Sequence, residues 1–351
     1  MTLNQLRIKQ FGAGRAMRLS CMLLCWYSRA RRDLPWRRTR DPYRIWLSEV
    51  MLQQTRVAAV IPYYERFLER FPDVAALAAA TESDLLAAWS GLGYYSRARN
   101  MQKAARQIVT AGGFPRQIDK IRELPGVGEY TAAAVASIAF DQPYAAVDGN
   151  VLRVLSRLSN EDGDIGSNGA RRRLADLAQR LVAGGQPGET NQALMELGAT
   201  VCVPRKPKCE QCPWRRLCDG RKAGRQEQLP TKRKPKRAHS VERTFLVVRR
   251  NRKVLLWRRP PGSKRLSGFW ELPEPAQAPT ATVIREAGTF RHSITNRNYL
   301  CHVLVAAVRQ TPEGLSWLPE EALKTTPLST TVCKALRLLG EQGLFQHVNS
   351  R

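Results

Sequence analysis

Histidine is missing from the N-terminal two-thirds of this chain: all four, His239, His292, His302 and His347, come after residue 238. Acid–base chemistry in the earlier part therefore falls to carboxylates or tyrosine. Long apolar runs are missing as well. Met22-Leu23-Leu24 is too short, and too closely followed by arginines, to be the h-region of a secretory signal. No stretch reads as a transmembrane span, and no low-complexity tract interrupts the chain. Acidic residues are scarce, 30 against 57 basic ones, leaving a net charge of +27. Solubility needs only a small net charge of either sign. The excess points instead to a polyanion, nucleic acid before any membrane, with arginines from Arg29 to Arg40 and from Arg171 to Arg173 placed to hold phosphates.

Four of the eight cysteines are concentrated in one short segment. Cys202, Cys209, Cys212 and Cys218 form a C-x6-C-x2-C-x5-C set in a Pro- and Lys-rich segment. A packed core has no use for four thiols in a turn-rich loop, whereas a tetrahedral all-thiolate site does. Disulfides are disfavoured in the reducing cytoplasm that the lack of a signal implies. Spacing alone leaves zinc and an iron–sulfur cluster both open.

The chain is long enough for two domains. Apolar residues recur at helical spacing through Val74–Trp89, Tyr130–Phe140, Val151–Leu158 and Ala193–Val201. Beyond the basic, Pro-bounded run 230–237, strand-like segments appear at Phe245–Val248, Val254–Trp257 and Tyr299–Val308, and Thr331–Leu339 reads as a closing helix. This predicts an N-terminal extension over 1–20 and a helical domain over 21–222 with the cysteine loop at 202–218. A linker over 223–240 and an α+β domain over 241–351 follow. The first sixteen residues lack a pattern and read as a disordered basic extension, with Met17 as an alternative start.

Three constellations in the helical part carry chemistry. Leu124-Pro125-Gly126-Val127-Gly128 lies between two helical segments. Its glycines bring backbone N–H groups close to an anion at a helix N-terminus, as in a helix-hairpin-helix reading DNA backbone. Asp41-Pro42 opens a helix expected to run from Tyr43 to about Val60, on whose apolar stripe Glu49 and Gln53 fall. A carboxyl group there is disfavoured as an anion. Asp148, near the N-cap of the helix Val151–Leu158, is favoured as one. A neutral acid paired with a charged one suits cleavage of a glycosidic bond through an oxocarbenium-like state.

The hairpin, Asp148 and the cysteine loop together resemble the endonuclease III superfamily of base-excision glycosylases. Trp46-Leu47-Ser48-Glu49-Val50-Met51-Leu52-Gln53-Gln54-Thr55, with Leu34-Pro35-Trp36-Arg37, Gly91–Arg97 and Val147–Val151, is similar to MutY-type adenine DNA glycosylases. The resemblance is close over about residues 22–220. It implies one [4Fe–4S] cluster on the four cysteines, with zinc as the fallback. It also implies a monomer acting on double-stranded DNA, in the cytoplasm or on the nucleoid, at 8-oxoguanine·A or G·A pairs. Glu49 would protonate a flipped-out adenine and Asp148 would stabilise the sugar cation. Tyr130 and Asn150 would position them. Arg37, Trp36 and Leu52 would line the pocket, Gln53 would contact the DNA, and Gln54 and Tyr94 would wedge into the stack. Tyr130 stands where bifunctional relatives carry a Schiff-base lysine, so a monofunctional enzyme is implied.

The C-terminal part resembles a Nudix-like domain through Gly268-Phe269-Trp270-Glu271-Leu272-Pro273. Arg285-Glu286-Ala287-Gly288 stands where a glutamate-rich, Mg²⁺-binding helix would lie in a hydrolase of that fold. Phe290–Asn296 looks like the family's 8-oxoguanine loop, with Thr295 and Asn296 in place of a serine and a histidine. Two rivals remain: a G·T thymine glycosylase on the same fold, and a non-catalytic iron–sulfur DNA-binding regulator.

Overall fold

The computed structural model describes residues 12–232, 239–260, 263, 266, 268–294, 297–324 and 326–340. The described residues of Met1–Ala80 and Arg99–Lys234 form one compact unit, and those of Thr81–Ala98 and Pro235–Arg351 a second.

The first unit is helical. Ala16, Leu19, Leu23 and Tyr27 are three or four apart, so one face of α1 (Ala13–Ala30) is apolar and packs with Val151, Leu155, Leu174 and Leu197. The stretch from Ala13 to Ala16 is therefore helix, not patternless extension; residues 1–11 lie outside the described ones. In α2 (Pro42–Leu52) the expected start is found, with Asp41 Oδ1 accepting from the Tyr43 N–H at 2.9 Å. Its expected end is not. Gln54 takes the left-handed conformation (φ 58), which an α-helix cannot continue, and the chain restarts as α3 (Val57–Arg70). The periodic run from Val74 likewise divides, into α4 (Val74–Ala79) and α5 (Glu82–Trp89), where Thr81 Oγ1 caps Asp84 N at 3.1 Å. Then follow α6 (Ser96–Thr110), α7 (Ile118–Arg122), α8 (Glu129–Phe140), α9 (Gly149–Ser159), α10 (Asn168–Val182), α11 (Pro187–Thr200) and the short α12 (Asp219–Lys222). Every residue from Thr131 to Ile138 is buried, because α8 packs against both α2 and α11, and its alanines let them approach closely.

Residues 223–232, read from sequence as linker, are partly anchored to this unit. Leu229 is buried and its carbonyl accepts from Arg157 Nε at 2.9 Å, and Thr231 O accepts from Ile165 N.

In the second unit, β1 (His239–Arg250), β2 (Lys253–Arg258), β3 (Trp270–Glu271), β4 (Thr282–Ile294) and β5 (Arg297–Ala307) lie in the order β3-β2-β1-β5-β4, with β6 (Leu315–Pro319) on β2. β1 and β5 are parallel and the other ladders antiparallel, so the unit is α+β with a mixed sheet, as the strand pattern predicts. Phe245, Val247, Val254, Leu256 and Val303 pack with Val332 and Leu336 of α13 (Thr330–Arg337).

Two expectations here are corrected. Arg285-Glu286-Ala287-Gly288 does not occupy a helix position: it lies on β4, with one irregularity of the β4–β5 ladder just before it and a second within it, between Glu286 and Gly288. Between β3 and β4 the described residues hold only the 3₁₀ turn Pro275–Gln277. Nor is Phe290–Ile294 a loop. It continues β4, with Phe290, His292 and Ile294 half-buried and Arg291 and Ser293 exposed, the period-two alternation of a strand. Thr295 and Asn296 lie outside the described residues. Among the described residues no helix is long and apolar enough to cross a membrane.

Candidate active site

Glu49 faces α8 from the last turn of α2 and is 6 % exposed. Tyr130 Oη donates to its Oε2 at 2.7 Å and lies 3.6 Å from Met195 Sδ. Burial pushes the Glu49 carboxyl up to about 7. The Tyr130 hydrogen bond and the Arg37 charge pull it down, while Asp148 adds to the rise. Tyr130 is itself driven well above the ordinary phenol value by burial and by Glu49, so it remains a donor.

Asp148 is the N-cap of α9. Its Oδ1 accepts from Val151 N at 2.7 Å and its Oδ2 from Asn150 Nδ2 at 2.8 Å. Asn150 Oδ1 in turn accepts from Arg153 Nη2 at 2.9 Å. Arg153 also donates to Gly198 O at 2.8 Å and, through Nε, to Cys202 O at 2.9 Å. A continuous hydrogen-bonded path thus joins Asp148 to the cysteine loop. Gly198 makes room for it, since a Cβ there would sit 2.8 Å from Asn150 Cβ.

Sequence reasoning missed the acid that holds Arg37. Glu196, fully buried in its side chain, receives Arg32 Nη2 and Arg37 Nη2 at 2.8 Å each. Burial alone would raise its carboxyl, but bonds from Arg32 and Arg37 overcome that and hold it at about 2. The guanidinium of Arg37 also lies 5.4 Å from the Tyr27 ring centre.

The other expected residues divide. Trp36 is buried and packs edge-on to Tyr64 at 5.3 Å, which is core packing. Leu52 is half-buried at the end of α2. Gln53 Nε2 reaches Thr131 Oγ1 on α8 at 3.4 Å. Gln54 is exposed on the left-handed break. Tyr94, in the second unit, is 56 % exposed with φ 48, and its ring lies 5.4 Å from the Arg97 guanidinium. Gln54 and Tyr94 are thus both exposed residues held at positive φ.

At the hairpin, Leu124 and Val127 are buried while Gly126 and Gly128 are exposed. Gly126 has φ 79, and a Cβ there would meet Asn100 Cβ at 2.8 Å, so glycine is required twice over. Gly128 is the N-cap of α8 and supplies no side-chain hydrogen bond to its first turn.

Cys202, Cys209, Cys212 and Cys218 are unpaired, half-buried and line one cavity with Arg157 and Gln226. Burial raises the Cys212 thiol to about 12 and Cys218 to about 11. Arg157 Nη1 lies 3.4 Å from Cys202 Sγ. Among the described residues no three His, Cys, Asp or Glu side chains converge on a single ion. Four thiols spaced round one cavity fit a cluster, whose separate irons each take one ligand.

Residues 47–180 match the model of the HhH-GPD superfamily base excision DNA repair protein, and 202–218 that of the iron–sulfur binding domain of endonuclease III. The loop is therefore an iron–sulfur site, and the zinc fallback has no support. The human adenine DNA glycosylase is 36% identical over 90% of this chain and 73% of its own length. The chain belongs to the adenine DNA glycosylase family. The rat adenine DNA glycosylase is 50% identical over 56% of this chain and 40% of its own. Among solved structures, a thermostable thymine-DNA glycosylase superposes with a TM-score of 0.53 at 32% identity, over 60% of this chain and 98% of that one. Within the adenine DNA glycosylase family the chain thus keeps a helical fold shared with glycosylases of other bases.

Proposed function

We propose that this protein excises adenine paired with 8-oxoguanine or guanine from double-stranded DNA. The observation that carries this is Glu49, buried, bonded to the Tyr130 phenol and raised to about 7, beside the capping carboxylate of Asp148. Adenine leaves the stack to reach it. Glu49 gives its proton to the base, most simply at N7, as the bond from N9 to the sugar breaks and its electron pair passes to the base. Asp148 stabilises the cationic sugar, and water adds at the sugar carbon with Glu49 as base. Tyr130 and Asn150 position the two carboxylates. Tyr130 has no amine with which to form an imine, so the enzyme is monofunctional.

The four cysteines hold one [4Fe–4S] cluster, which shapes the loop and needs to supply no electron to a hydrolysis. The hairpin, Gln53, Gln54 and Tyr94 contact the DNA, and the C-terminal unit reads the base opposite adenine. The protein works as a monomer, in the cytoplasm or on the nucleoid.

A second reading, thymine release from G·T, draws on the fold shared with the thymine-DNA glycosylase. Single-turnover assays on 8-oxoguanine·A, G·A and G·T duplexes separate the two. Free adenine from the first two supports the proposal. Thymine release without adenine release overturns it, as does binding with no base released.

A further inference from the structure

We infer that Gln226 is a positioning residue for the iron–sulfur cluster, its side-chain amide donating a hydrogen bond to a cluster sulfide or cysteine thiolate. This rests on the iron–sulfur reading of the cysteine loop.

Beyond α12 the chain folds back: Arg225 N donates to Gly220 O at 2.8 Å, and Leu229 is buried with its carbonyl held by Arg157. Gln226 sits between these two anchors. Its side chain lines the cavity that all four cysteines line, and its Oε1 is buried with no hydrogen-bond partner. A buried amide left unbonded loses its hydration with nothing in return, so a partner is expected from whatever fills the cavity. Thiolates and sulfides only accept. The amide therefore presents Nε2 to the cluster, the orientation a half-turn about its last torsion makes available. Arg157 is the corresponding donor on Cys202. Gln226 also borders the groove lined by Lys208, Arg221 and Lys222, so it stands between the cluster cavity and the outside. Hydrogen bonds to sulfur favour the more electron-rich cluster and so raise its reduction potential.

The test is a potentiometric titration of the purified, cluster-loaded protein with iron and sulfide analysis. Gln226→Met keeps the bulk and removes the donor, Gln226→His restores an N–H donor, and Gln228→Met, at an exposed position, is the control. The expected result is a more negative midpoint potential for Gln226→Met at unchanged iron content, recovery in Gln226→His, and no shift in Gln228→Met. Equal potentials for wild type and Gln226→Met would overturn the inference. If Gln226→Met fails to load, Gln226→Leu is titrated in its place with the same two outcomes. A wild type without iron and sulfide overturns the iron–sulfur reading itself, a result that iron analysis tells apart from a Gln226 failure.

Discussion

A carboxylic acid stays neutral near pH 7 only where water cannot solvate its anion, and Glu49 is held in such a place. Replacing its proton donor by an amide, in Glu49→Gln, should lower single-turnover excision by about 10²–10⁴-fold, the usual worth of a general acid. In the proposed mechanism the protonated form does the work, so the wild-type rate should fall as pH rises through about 7. The Tyr130 bond lowers the Glu49 pKa, so Tyr130→Phe should move that fall to higher pH. Stability follows the same proton. The folded state holds it while an unfolded glutamate, near 4.5, has lost it. Stability should therefore decline between about 4.5 and 7, and above that window Glu49→Gln should be more stable than wild type, by up to about 3 kcal/mol. Thermal melts across pH check this. Glu49 and Asp148 were legible in the sequence because each sits in a short local pattern, an apolar stripe and a helix start. Glu196 was not: its partners Arg32 and Arg37 are some 160 positions away, and only folding brings that pair to it.

Among the elements, α9 has the most to position. Its N-terminus carries Asp148 and Asn150, Arg153 ties it to the cysteine loop, and Gly198 of α11 lets it sit close. Gly198→Ala should displace Asn150 and so lower the excision rate more than DNA affinity, with a stability loss of about 1–3 kcal/mol. Rate at saturating DNA against binding separates those effects. Helix existence was readable from apolar spacing, but helix ends were not. The breaks at Gln54 and Thr81 depend on a left-handed residue and a side-chain cap that leave the apolar pattern almost unchanged. The same limit explains β4. Arg285-Glu286-Ala287-Gly288 carries no strong strand signal, and its pairing with β5, irregularities included, decides its conformation.

For the whole molecule, the net charge of +27 predicts tight, weakly selective DNA binding that weakens steeply with salt, by about 0.9 in the log–log slope per phosphate contacted. A flat salt titration would contradict it. The division into two units was only partly legible. The change from helical to strand pattern was visible, yet Thr81–Ala98 belongs with the second unit, where the Tyr95 and Phe269 rings lie 4.3 Å apart. Nothing in the local sequence of that segment names a partner over 170 positions on. Deleting residues 239–351 should strip Tyr95 of Phe269 and make Thr81–Ala98 more sensitive to limited proteolysis than in the full chain.

Single-turnover release of adenine from an 8-oxoguanine·A duplex, wild type beside Glu49→Gln, tests the central claim most directly. The account predicts free adenine from the wild type at a rate that falls above about pH 7, and almost none from the variant. Undiminished release by Glu49→Gln, or no adenine from the wild type, would contradict it.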